Sequence, residues 1–148
     1  FPISGGGFGG AKLLLDRLRA ADIRSPQILV EAWDYDAHPM VHTLAEAELV
    51  VRLAKRRGWR TLLVVAPSFH LPRAAATTAS VSMREHAELR VFAHPGAPLP
   101  WEEEARHSQG MRATRSEFLD SELDRIERYT AKGDLLPTEV LEARFVRS

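Results

Sequence analysis

Short runs rich in apolar residues alternate with segments of helical periodicity along most of the chain. Strand-like runs stand at Phe1–Ser4, Gln27–Glu31, Thr61–Ala66 and Leu89–Ala93, and Thr61–Ala66 reads as a strand buried on both faces. Between these runs, apolar residues recur every three or four positions, as on the buried face of a helix. Strands that alternate with helices of roughly 10 to 15 residues predict right-handed crossovers and a mainly parallel sheet.

Helix boundaries follow from proline and glycine positions. The pattern predicts helices from Ala11, from Pro39 to Arg57 with Gly58 as its stop, from Pro72 to Glu85, from just after Glu102–Glu104 to Gly133, and from Pro137 to Arg144. Residues 94–110 are rich in proline and predict a surface loop, with C-terminal helices over 111–148. We expect one α/β domain over residues 1–148, with a first strand that is missing or truncated ahead of Phe1.

Composition narrows the classes of function. The chain of 148 residues has no cysteine, which excludes thiol catalysis, disulfides and zinc–thiolate sites. Twenty basic and twenty acidic residues cancel, so we expect no nucleic-acid partner. No apolar run approaches the roughly 20 residues that cross a bilayer, and we expect a soluble, cytoplasmic domain without a membrane segment.

Polar residues collect where the predicted strands end. Ser4, Gly5, Gly6 and Gly7 follow the first strand, Glu31 ends the second, Ser68 to Arg73 follow the third, and His94 follows the fourth. In open parallel sheets, ligands bind outside the carboxyl ends of the strands. We therefore expect a binding site at this edge of the sheet.

The segment after the third strand has the most specific chemistry. Pro72 favours the first turn of a helix, which places His70 before the helix and Arg73 inside it. Arg73 offers a planar fork for a carboxylate or phosphate, and His70 is the candidate catalytic proton carrier. A serine hydrolase using Ser68 and His70 is disfavoured because the GxSxG elbow is absent.

Two metal sites are weaker alternatives. Glu31, Asp34 and Asp36 offer oxygen ligands that suit Mg²⁺, although a solvated acidic loop explains them as well. His38, His42 and Glu46 have the spacing of zinc ligands, but no HExxH is present and a structural role is favoured. We assign no metal ligand from the sequence.

Several segments together resemble the YdcF-like family, the SanA and ElyC group. They are ISGG at Ile3–Gly6, ILVE at Ile28–Glu31, His42-Thr43 at a helix start, and LLVVAPSFHLPRA at Leu62–Ala74. The resemblance covers about Ile3 to Ala93. Ala45-Glu46 departs from the family's Glu-Asn, and the loop between Glu31 and Thr43 is longer than usual.

The resemblance implies a Rossmann-like, three-layer α/β/α fold with one ligand cleft. Carried over residue by residue, it implies that the cleft is lined by Ser4, Gly5, Gly6, Glu31, Thr43, Ser68, His70 and Arg73. A small anionic ligand is expected, such as a nucleotide, S-adenosylmethionine or a sugar phosphate.

Two other functions stay open from the sequence. One is a metal-assisted hydrolase or phosphoesterase that uses His70 with Mg²⁺ at Glu31 and Asp34. The other is a non-catalytic partner-binding module, with a homodimer formed through the helix around Leu119 to Tyr129.

Overall fold

The structure is a computed structural model that describes residues 16–23, 42–107 and 110–145. Contacts divide the chain into two compact units. The described residues of the smaller unit are 16–23, 104–107 and 110–113, and those of the larger unit are 42–103 and 114–145. The predicted strands at Phe1–Ser4 and Gln27–Glu31 lie outside the described residues, whereas residues 16–20 are helical, as the pattern predicts.

Helices and strands alternate through the described residues. In chain order they are α1 (Thr43–Arg57), β1 (Thr61–Val65), α2 (Leu71–Glu85), β2 (Arg90–His94), β3 (Glu104–Arg106), β4 (Arg112–Thr114), α3 (Arg115–Ala131) and α4 (Thr138–Phe145). β1 and β2 form one two-stranded sheet, and β3 and β4 form another. This confirms a mixed helix and strand fold of the α/β kind.

β1 and β2 run parallel and are joined through α2. Leu62 lies opposite Val91 and Val65 lies opposite His94. Successive side chains of a strand point to opposite faces, and only one face of β1 packs against the core. Leu62 and Val64 are on that face, whereas Leu63 and Val65 are 54% and 66% exposed. β1 is therefore half-buried, and the prediction of a strand buried on both faces was wrong.

α1 begins later than Pro39, where the sequence predicted its first turn. His42 has extended backbone angles, with φ −140° and ψ 158°, and its Nδ1 accepts the Ala45 N–H at 3.3 Å. This side-chain bond satisfies one of the free N–H groups of the first turn and fixes the helix start at Thr43. The predicted stop at Gly58 is confirmed, since Gly58 caps the helix in the left-handed conformation.

α2 is the central helix of the larger unit and is buried along nearly its whole length. It packs against both neighbouring helices α1 and α3, both strands of the parallel sheet, and α4. Small side chains allow this close approach from several directions. Thr77, Thr78 and Ser82 donate their hydroxyl hydrogens to carbonyl groups of the preceding turn, so their burial leaves no unmet donor.

α2 shares the hydrophobic core with its neighbours. Ala47, Val51 and Ala54 of α1, Ala76, Ala79 and Val81 of α2, Leu89, Val91, Leu135 and Leu141 form this core. The core fixes α1, α2 and β2 against one another. The first turn of α2 is thereby held in place beside the end of β1.

α3 begins at Arg115 and not directly after Glu104, so the predicted helix start was wrong. Thr114 and Glu117 form a capping box, in which the Thr114 hydroxyl accepts the Glu117 N–H and Glu117 accepts the Thr114 N–H. β3 lies inside the predicted loop of residues 94–110, and β4 lies in the segment expected to be helical.

α3 turns Phe118 and Glu122 inward, while Leu123 is exposed. Ile126 and Tyr129 pack against the core and are partly buried, so only part of each side chain could contact a second copy of the chain. A dimer through this helix stays a prediction. No helix within the described ranges is long and apolar enough to cross a bilayer.

Candidate functional site

A tight turn connects β1 to α2 and carries the Ser68–Arg73 segment. The Pro67 carbonyl accepts the N–H groups of His70 and Leu71, at 2.8 and 2.9 Å. Phe69 is buried, and its ring centroid lies 5.0 Å from that of Phe118 on α3. This aromatic contact joins the turn to α3, so the two elements present their polar groups to each other.

Glu122 is the centre of a cluster of charged side chains between these two elements. Its Oε2 lies 2.8 Å from Nδ1 of His70 and accepts a hydrogen bond from Nε of Arg73. Its Oε1 accepts from Nη1 of Arg125 at 2.6 Å and from Nη2 of Arg73 at 3.3 Å. One carboxylate therefore holds three basic side chains, and Glu122 is only 1% exposed.

Glu122 is ionised in spite of its burial. Desolvation by itself raises the pKa of this carboxyl group. Hydrogen bonds from His70 and Arg73, together with their positive charges, outweigh that effect and lower the pKa of Glu122 to about 2. At neutral pH the cluster is built around a carboxylate that only accepts hydrogen bonds.

Arg73 is committed to the interior of the cluster. Its Nη1 donates to Oγ1 of Thr43 at 2.6 Å, and its other two nitrogens face Glu122. The side chain of Arg73 is 11% exposed, compared with 22% for His70 and 23% for Arg125. Since its fork is already bound to a carboxylate, Arg73 organises the site, and His70 and Arg125 are the basic groups nearer to solvent.

The loops after β1 and β2 meet at an open cavity beside this turn. Its volume is about 230 Å³, and its walls are mostly apolar, from Ser68, Pro95, Gly96, Ala97, Pro98, Leu99 and Trp101. Arg115 and Ser116, at the start of α3, bind the Pro100 and Trp101 carbonyls at 2.6 and 3.1 Å, which holds the second loop in place. A concave site at strand carboxyl ends is where ligands bind in parallel sheets.

The residues singled out from the sequence are placed as follows. Thr43, His70 and Arg73 are in the charged cluster, Ser68 lines the cavity, and His94 ends β2 as an exposed residue. Ser4, Gly5, Gly6, Gly7, Glu31, Asp34, Asp36 and His38 lie outside the described residues. Among the residues that the structure describes, no group of three or more His, Asp or Glu side chains could hold a metal ion.

The sequence analysis did not single out Glu122 and Arg125. One signal was present in the pattern of α3, because Phe118, Glu122 and Ile126 recur every four residues and lie on the inward face. A glutamate in an otherwise apolar row is a candidate for a buried ion pair. Two of its partners, Arg73 and His70, are 49 and 52 residues away, and no local pattern identifies them.

Comparisons of the chain with protein-family models, with curated proteins and with solved structures found no match. The similarity to the YdcF-like family therefore stays a prediction, and the function has to be inferred from the chemistry of the cluster and the cavity.

Proposed function

We propose that the chain is a small-molecule-binding domain for a ligand that carries a phosphate or carboxylate, with the three-layer Rossmann-like fold of the YdcF-like family. The ligand would bind at the carboxyl ends of β1 and β2. The observation that carries the proposal is the surplus of positive charge around Glu122. The turn that brings His70 to this cluster also brings Ser68 to the wall of the cavity.

The charges of the cluster favour an anion. Arg73 and Arg125 contribute two positive charges and Glu122 one negative charge, so one positive charge remains even with neutral His70. Among the described residues, the Arg125 side chain makes a single hydrogen bond, to Glu122, and is partly exposed, so its other N–H groups can bind a ligand oxygen.

The cavity would accept the part of the ligand that carries no charge. An apolar cavity of about 150 Å³ is enough to hold a benzene ring, and the space beside Ser68 and Trp101 is about 230 Å³. A nucleotide or S-adenosylmethionine presents a ring of this size together with an anionic group. A sugar phosphate presents only the second of these features, so comparing the three classes separates the roles of cavity and cluster.

The proposal is tested by thermal shift with adenosine monophosphate, S-adenosylmethionine and ribose 5-phosphate, each with and without Mg²⁺. The variant is Arg125→Gln, which removes the exposed positive charge of the cluster. The control is Arg128→Gln, which removes the same charge one turn later on α3. Among the described residues, the Arg128 side chain bonds to the Asp124 carbonyl of its own helix and to no member of the cluster.

Ligand at a hundred times its dissociation constant should stabilise the wild type by about 2.7 kcal/mol, a shift of several degrees for a domain of this size. We expect Arg128→Gln to keep this shift and Arg125→Gln to lose most of it. An equal shift in all three proteins would contradict an anion site at the cluster.

A further inference from the structure

We propose that Glu122 is a positioning residue that holds His70 with its proton on Nδ1, so that Nε2 accepts a proton from water during hydrolysis of a phosphate ester. This inference rests on the proposed function, because it requires an anion at the cluster.

The tautomer follows from the partners of Nδ1. Glu122 is a carboxylate and offers no hydrogen, so the contact of 2.8 Å is a hydrogen bond only if Nδ1 carries the proton. Nδ1 also lies 3.4 Å from Nη2 of Arg73, but a protonated Nδ1 has no lone pair for that donor. The contact with the Glu122 carboxylate is the shorter of the two, so it determines which ring nitrogen carries the proton. In neutral His70 the proton is on Nδ1 and the lone pair is on Nε2.

The two edges of the His70 ring have different surroundings. Nδ1 is turned toward the interior, where Glu122 and Arg73 hold it. Nε2 has no hydrogen-bond partner among the described residues, and the side chain is 22% exposed. A carboxylate behind an imidazole, with the other nitrogen free, is the arrangement by which enzymes orient a histidine as a general base.

The reaction needs only groups of the chain, water and the ester. Water loses a proton to Nε2 while its oxygen forms a new bond to phosphorus. The bond from phosphorus to the leaving alcohol oxygen breaks on the opposite side of phosphorus, where that oxygen takes a proton from solvent water, and the His70 imidazolium then returns its proton to solvent. Glu122 stays ionised throughout and stabilises the imidazolium, while Arg125 faces the negative charge of the phosphoryl oxygens.

The tautomer is measured directly by ¹⁵N NMR of the histidine side chains at a pH where His70 is neutral. His70→Gln identifies the signals by their loss. His86→Gln is the matched control, since within the described residues the His86 ring is hydrogen-bonded to the Trp59 carbonyl and lies outside the cluster. We expect the proton of His70 on Nδ1 in the wild type. A proton on Nε2 in the wild type would overturn the positioning role, whatever the protein binds.

Turnover is measured with p-nitrophenyl phosphate in the presence of EDTA. We expect kcat to fall by about 10² to 10⁴-fold in His70→Gln and to be unchanged in His86→Gln. Glu122→Gln should lower kcat with little change in KM and should shift the NMR tautomer. If Glu122→Gln does not fold, the wild-type tautomer together with the His70→Gln rate decides.

Binding of inorganic phosphate, followed by calorimetry, separates this inference from the proposed function. Phosphate binding without turnover would overturn the hydrolysis step and leave the binding proposal standing. If the protein neither binds phosphate nor hydrolyses the ester, the binding proposal and the hydrolysis step are both overturned. Turnover that persists in His70→Gln would show that another group takes the proton.

Discussion

Nδ1 of His70 lies 2.8 Å from Oε2 of Glu122, although the two residues are 52 positions apart in the chain. This contact, together with the Phe69–Phe118 ring contact, joins the turn after β1 to α3. The Glu122 carboxylate therefore serves both the candidate site and the packing of α3 against the turn after β1.

Replacement of Glu122 by glutamine should strongly destabilise the fold. Glutamine keeps the volume but removes the charge, so the buried Arg73 loses its ionic partner. Breaking one side of a buried pair costs about 3 to 5 kcal/mol, which urea unfolding measures. Glu127→Gln, on the exposed side of the same helix, should change stability by less than about 0.5 kcal/mol.

Replacing both partners of the buried pair should cost less than the sum of the single changes. The proteins to compare are Glu122→Leu, Arg73→Met and the double variant, because apolar side chains of similar size leave no uncompensated charge. We expect a coupling free energy of at least about 1 kcal/mol by urea unfolding. Strictly additive losses would mean that Arg73 and Glu122 do not act as a pair.

Acid should weaken the wild type more than Glu122→Gln. The pKa of Glu122 is lowered from 4.5 to about 2 in the folded state, so the unfolded state binds more protons at intermediate pH. The stabilisation from Glu122 is complete above about pH 5 and is lost as pH falls toward about 2.

Urea unfolding at a series of pH values measures this effect as the difference between the two proteins. Glu117, whose pKa is lowered by its hydrogen bonds with Thr114, is present in both and cancels in the difference. The difference in the free energy of unfolding should shrink as pH falls. A difference that is constant with pH would mean that folding does not lower the pKa of Glu122.

Ser80→Ala should cost more than Ser82→Ala, although both residues are buried in α2. The Ser80 hydroxyl accepts the Leu136 N–H at 2.9 Å, so its loss leaves a donor without a partner. Ser82 donates to the Ala79 carbonyl of its own helix, and removing it leaves no donor unmet. An unmet buried group costs about 1 to 3 kcal/mol, which thermal unfolding should resolve; equal losses would contradict the role of Ser80.

Gly58→Ala should destabilise the end of α1 through the backbone alone. Gly58 has φ of 67°, and a Cβ atom built there meets nothing within 4 Å. A left-handed conformation costs an L-residue about 1 to 2 kcal/mol, and asparagine tolerates it better. Urea unfolding should therefore rank glycine above asparagine and asparagine above alanine. A neutral alanine would mean that the helix ends in another conformation.

Local signals in the sequence predicted local structure well. Gly58 stops α1, Pro72 lies in the first turn of α2, and β1 and β2 are parallel neighbours, because these features depend on backbone preferences and short-range periodicity. The exposure of Leu63 was not predictable from an apolar run, because a run does not show which elements cover each face.

Only the part of the candidate site that lies in the turn between β1 and α2 was predictable from the sequence. His70 and Arg73 follow from the position of their turn at a strand end, whereas Glu122 depends on how α3 is rotated against that turn. The fork of Arg73 was expected to face a ligand, and that expectation stays a prediction. The partner in the described structure is a glutamate of the same chain.

The small residues of α2 have a consequence for how rigidly the site is held. Alanine loses no side-chain rotamer freedom on burial, and the buried threonine and serine hydroxyls are already bonded within the helix or to Leu136. Packing this helix into the core therefore freezes few side-chain torsions, and it leaves little empty space for a larger residue. We therefore expect α2 to tolerate fewer substitutions than the exposed faces of α1 and α3. His70 and Arg73 lie at the N-terminal end of this tightly packed helix.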